Sequence, residues 1–235
     1  MTSSTITIEA PYYGFEGIGH GGYTAGRLAE HLDGQVEVKF VAPPPMEVPL
    51  DIEDRDGVLT LLADEQVIAE ARPANLNIDI PTFPSLADAR LSTEAYRNIA
   101  RHPSPMCMTC GPERQFGEGL RVFAGHIPGA PVAAALWEPH PNFADAEGFV
   151  KKEFVWAALD CPTYWGIRAA TADPGRIVTA RLTAHLIHPV SQDERAVVTG
   201  WPIAERGRLL RGGAAIVSAE GEPLAIAEAT WIRSE

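Results

Sequence analysis

The stretch FVWAALDCP, residues 154–162, holds a carboxylate in an unusual place. Asp160 ends an apolar run that reads as a buried helix, and burying a charged carboxylate without a partner costs several kcal/mol. Two tasks fit it. It can act as a general base on a bound water, or it can cap a second helical segment beginning at Pro162. Pro162 has no N–H and disfavours helical geometry at Cys161. The helix is therefore expected to kink or restart beside Asp160, freeing N–H groups of the kind that bind an oxyanion.

Three other clusters could do chemistry. His20 stands in GIGHGGYTAG, where Gly19, Gly21 and Gly22 let backbone approach a ligand closely, or simply make a flexible helix start. Cys107 and Cys110 form one Cys-x-x-Cys pair, half of a zinc site whose second pair is missing; Cys161 with a histidine would complete it only if the fold brought them together. The expectation is a turn-forming pair with no metal. Cys161 as a covalent nucleophile has no obvious partner histidine in the sequence. Arg206, Arg208 and Arg211 crowd the segment ERGRLLRGG, where they can meet phosphates or decorate a solvated hairpin turn.

The chain shows one plan of elements twice. In the first half a strand, TITIEAPYYG, precedes a helix over residues 20–33 with Gly34 as its stop, and antiparallel strands follow. In the second half a hairpin around Pro128-Gly129 precedes a helix over 152–168, again followed by strands. The last hairpin of each half carries Ile-Ala-Glu-Ala, at Ile68–Ala71 and Ile226–Ala229. Shared order plus this match points to duplication. A proline-rich connection with a short helix near Ser92–Ala100 joins the halves, giving units 1–102 and 103–235.

The net charge of -12 argues against nucleic acid or an anionic membrane as partner. No apolar run has the length of a membrane span, and no secretory leader is evident. Three cysteines are too few for a disulfide scaffold, so a reducing, cytoplasmic setting is expected. No cofactor is implied.

One long helix wrapped by antiparallel strands is the hotdog plan, so the fold expected is α+β: a double hotdog, with antiparallel sheets wrapped around two central helices. A single hotdog leaves an open sheet edge, which a duplicated chain covers internally and a homo-oligomer covers by pairing sheets. The segment CMTCGPERQFGEGL is similar to the opening of many phenylacetate-pathway-type hotdog thioesterases. The whole chain resembles double-hotdog acyl-CoA thioesterases of the thioesterase II type. The resemblance implies hydrolysis of an acyl-CoA or acyl-carrier thioester by a water held between an Asp on the second helix, a Thr on the next strand and a Gln on the last strand. Those positions match Asp160, Thr179 and, with a carboxylate replacing the amide, Glu228. Two acids sharing a site would push one pKa up. A structural role for Glu228, as for its repeat Glu70, and a simple β-forming role for Thr179 remain open. The resemblance also implies that His20, Gly21 and Gly22 lie near the acyl group; the cluster Arg206, Arg208 and Arg211 would then be a candidate for the CoA phosphates, with the solvated hairpin turn still open. GHIPGAPV is similar to the loop of hotdog dehydratases, with His126 as base, but PVAAALWEP after it reads as a strand. Hydration or dehydration of an acyl thioester, with His126 or His20 as base, and acyl binding without catalysis, are the alternatives.

Overall fold

A computed structural model describes residues 4–81, 83–97, 99, 101–171 and 175–233. The first half supplies β1 (Ser4–Thr7), β2 (Tyr13–Phe15), β3 (Ile18–Gly19), α1 (Gly21–Ala29), β4 (Val36–Phe40), β5 (Pro49–Arg55), β6 (Val58–Ala63) and β7 (Gln66–Pro73). Then come α2 (Leu86–Arg97), β8 (Gly125–His126), β9 (Ala133–Trp137) and α3 (Lys152–Ala170). The chain closes with β10 (Ile177–Leu186), β11 (Ala196–Arg206), β12 (Leu209–Val217) and β13 (Pro223–Arg233).

Eleven strands form one antiparallel sheet in the order β1-β5-β6-β7-β4-β10-β13-β12-β11-β9-β8. The first five strands on each side of the β4–β10 junction follow matching orders, with β8 as an extra edge strand on the second side; at the junction Val36 to Lys39 pair with Ala184 to Arg181. β7 and β13 hold equivalent places in the two halves, and these are the strands that carry the repeated Ile-Ala-Glu-Ala. The junction uses one edge from each half, so neither exposes that edge to pairing with another chain.

One core runs through both halves, joining Leu28, Val38 and Ile68 to Leu159, Leu182 and Ala229. α3 lies on β11, β12 and β13 and is crossed by α1. The crossing is close because α1 presents glycine to it. A Cβ on Gly22 would stand 2.6 Å from the Asp160 Cβ, and one on Gly26 would stand 2.5 Å from the Glu153 Cα. α2 packs on β8 and β9 of the second half. Ile78, Ile80 and Phe83 of the connection lie against Trp201 and Ala215, so the connection too lies on the second half. No helix among the described residues is long and apolar enough to cross a membrane.

Three expectations are corrected. α1 ends at Ala29 rather than at 33, because the chain tightens into turns there, with His31 and Leu32 amides bonding back three residues; Gly34, at φ +75°, makes the reversal beyond. The connecting helix begins at Leu86, earlier than expected, and Ala100 lies outside the described residues. α3 runs unbroken through Pro162. Tertiary packing outweighs the lost hydrogen bond there: all residues from Glu153 to Ile167 are buried, which holds the helix together past the proline. The hairpin at Pro128-Gly129 is as expected, with Gly129 at φ +81°.

Candidate active site

Asp160 is 2% exposed, on the face of α3 turned toward the start of α1. Its carboxylate is held at both oxygens. Oδ2 accepts the Gly22 amide of α1 at 2.8 Å, and Oδ1 accepts the Thr179 hydroxyl of β10 at 3.1 Å. A carboxylate in this position does cap a helix, but the helix is α1 of the other half rather than a segment restarting at Pro162. The positive end of α1 and two donors favour the charge. Burial works against it and holds the carboxyl above the usual carboxylate range, offset in part by His20, Gly22 and Thr179. Because α3 does not break, no free amides arise beside Asp160. Those near it belong to the start of α1.

His20 caps α1, its Nδ1 accepting the Tyr23 amide at 3.3 Å. The same nitrogen lies 3.8 Å from Asp160 Oδ2, and Nε2 lies 3.3 Å from the Cys161 sulfur. Cys161 thus has the partner histidine that linear order does not show. Cys107 adds its sulfur 3.8 Å from that of Cys161, and all three cysteines are buried and unpaired by disulfides. Within this cluster the hydrogen bonds to Cys110 and Cys161 hold Cys107 well below the usual thiol range. Burial raises Cys110, and the bond to Cys107 raises Cys161.

These groups line one cavity of about 820 Å³. His20, Gly21, Asp160 and Thr179 meet there with Cys107, Cys110 and Cys161. Phe15, Val41, Trp165, Ile177 and Trp231 give it an apolar wall, and Arg101, Arg168 and Arg176 contribute positive charge. Gly21, the first residue of α1, sits with hypothetical Cβ space only 3.2 Å from Asp160 Oδ2. Gly22 does not line the cavity; its lack of a side chain serves the approach to α3 and the bond to Asp160.

Several expected site residues lie elsewhere. Glu228 is opposite Thr183 in the ladder and accepts from Nε and Nη2 of Arg211, at 2.7 and 2.8 Å. The cause is strand alternation: Ala227, Ala229 and Trp231 of β13 are buried, while Glu228 and Thr230 point to the other face. The residue paired with Thr179 is Trp231, whose indole N–H donates to Thr163 at 2.8 Å. Arg211 is engaged by Glu228, Arg208 donates to the Arg233 carbonyl, and Arg206 is at the end of β11; none of the three lines the cavity. His126 is exposed and hydrogen-bonds the Ala130 carbonyl across its own hairpin. Trp231 was findable from the alternation of AIAEATWIR. Arg101, Arg168 and Arg176 were not, since they come from three separate segments.

No protein-family model matches the chain, and no curated protein matches it. Solved structures do. A hotdog-fold protein of unknown function from Alicyclobacillus acidocaldarius matches with TM-score 0.61 and 14% identity over 99% of this chain and 93% of its own. A TesB protein of Mycobacterium avium subsp. paratuberculosis matches with TM-score 0.61 and 12% identity over 99% and 93%. The acyl-CoA thioesterase II TesB2 of Mycobacterium marinum matches with TM-score 0.58 and 12% identity over 92% and 89%. The chain therefore has the hotdog fold, and proteins named thioesterases share it with this chain over nearly its whole length.

Proposed function

We propose that the chain is a double hotdog that hydrolyses an acyl thioester, on acyl-CoA or an acyl-carrier protein. The mirrored strand order about β4–β10, with one central helix per half, supports the double-hotdog reading. The observation that carries the function is the Asp160 carboxylate, buried on a cavity wall and fixed at both oxygens by Gly22 and Thr179. A carboxylate has about four acceptor positions. Two are used, and the others can take the proton of a water in the cavity. Thr179 donates to Asp160, so its oxygen remains an acceptor that can orient that water. The amide of Gly21 has no partner within α1 and is suited to a carbonyl oxygen gaining charge. The apolar wall suits an acyl chain, and Arg101, Arg168 and Arg176 suit the phosphates of the carrier group.

Glu228 has no part in this reading, so the water is shared by Asp160 and Thr179 alone. Dehydration by His126 loses its support, since that side chain stands outside the cavity. The test is release of free CoA from a panel of acyl-CoAs, measured by chromatography. Turnover on at least one acyl chain is expected. A raised melting temperature with acyl-CoA and no CoA release would instead indicate a binding protein.

A further inference from the structure

The structure assigns to His20, Cys107 and Cys161 a buried site for one thiophilic divalent cation, zinc foremost. This goes beyond the hydrolytic reading and does not depend on it. The three donors come from three distant segments: the cap of α1, the loop before β8, and the middle of α3. Their ligating atoms lie within 4.8 Å of one another, and all three residues are buried. Two of the three pairs match a tetrahedral ion, and the third, His20 with Cys107, lies within the 4.8 Å that bounds the cluster. With zinc–sulfur bonds of about 2.3 Å and zinc–nitrogen bonds of about 2.0–2.1 Å, two sulfurs stand about 3.8 Å apart and sulfur and nitrogen about 3.5 Å apart. The separations are 3.8 Å for Cys107–Cys161 and 3.3 Å for His20–Cys161.

The Cys-x-x-Cys pair lacks a second such pair in the sequence, and the fold replaces it with Cys161 and His20. Two thiols and an imidazole are a donor set for zinc rather than for magnesium or calcium. The two nitrogens of His20 divide the work. Nε2 faces the sulfurs, while Nδ1 lies 3.8 Å from Asp160 Oδ2, within about an ångström of hydrogen-bond distance. A carboxylate behind a histidine orients it as a ligand. The bond given up would be the long one from the Tyr23 amide, 3.3 Å. All three donors line the cavity, so a fourth ligand, a water or a substrate atom, can reach the ion from it. Cys110 lies on the same wall but outside the triad.

The test is metal content of the full chain, reduced and folded by circular dichroism, after equilibration with zinc and removal of the excess. About one zinc per chain is expected, falling below about a tenth in Cys107→Ser/Cys161→Ser and unchanged in Cys110→Ser. Should the double variant not fold, cobalt bound to wild type decides: sulfur-to-cobalt charge-transfer absorption is expected. Folded wild type that retains no zinc and shows no such band overturns the proposal, leaving a hydrogen-bonded thiol cluster only. So does zinc that the double variant keeps, or that Cys110→Ser alone abolishes.

Discussion

Asp160 answers to three neighbours at once: the Gly22 amide, the Thr179 hydroxyl and the His20 ring. Its position at the end of an apolar run was legible in the sequence, because a buried acid stands out against alanine, leucine and tryptophan. What it capped was not, since α1 lies 138 positions away from it in the chain. Thr179, named from the resemblance, donates its hydroxyl to Asp160. Replacing it with valine removes a bond to a charged group worth about 1.5–3 kcal/mol. Turnover of Thr179→Val should therefore fall roughly ten- to a hundredfold, read as kcat on the best acyl-CoA. Glu228 was misplaced by matching a motif instead of counting faces. As half of a surface ion pair with Arg211, it contributes only about 0–1 kcal/mol. Glu228→Gln should leave kcat within about twofold and lower stability by less than about 1 kcal/mol, measured by turnover beside urea unfolding.

At the scale of elements, the decisive feature is the crossing of α1 and α3. Glycine in a helix normally costs about 1 kcal/mol relative to alanine. At Gly26 the sign should reverse, since a Cβ would stand 2.5 Å from the Glu153 Cα and 3.0 Å from the Trp156 Cβ. Gly26→Ala is expected to destabilise by about 1–3 kcal/mol, seen as a lower urea midpoint. Gly22 suggested a ligand approach in the sequence, whereas with Gly26, four residues on, it makes room for a helix crossing. The same crossing brings Glu30 beside Glu153. Burial, followed by the hydrogen bond and repulsion from Glu153, pushes the Glu30 carboxyl up to about 7, with Arg27 partly opposing. The folded pKa lies above the ordinary 4.5, so the protonated acid is the form the fold favours. Its contribution is complete below pH 4.5 and is lost as pH rises through 7. Glu30→Gln should therefore match wild type in melting temperature at pH 4.5 and exceed it at pH 8. The gain will be small, because the side chain is 36% exposed.

At the scale of the molecule, two halves share one sheet and one core. The repeat was legible because each half spells a helix followed by strands and ends in Ile-Ala-Glu-Ala. The pairing of β4 with β10 was not, because edge complementarity leaves no local pattern. Since Leu28 and Leu159 belong to the same core, calorimetry should show a single unfolding transition; two resolved transitions would mean independent halves. The cavity is likewise joint property: His20 and Gly21 come from the first half, Asp160 and Thr179 from the second. Asp160 is the proposed base of that cavity. Asparagine keeps the size and an acceptor oxygen for Gly22 but cannot take a proton from water. The most direct measurement is kcat of Asp160→Asn against wild type on the best acyl-CoA, with both shown to be folded. The account predicts a fall of about 10²–10⁴-fold; unchanged turnover in a folded variant would contradict it and leave Asp160 as the cap of α1.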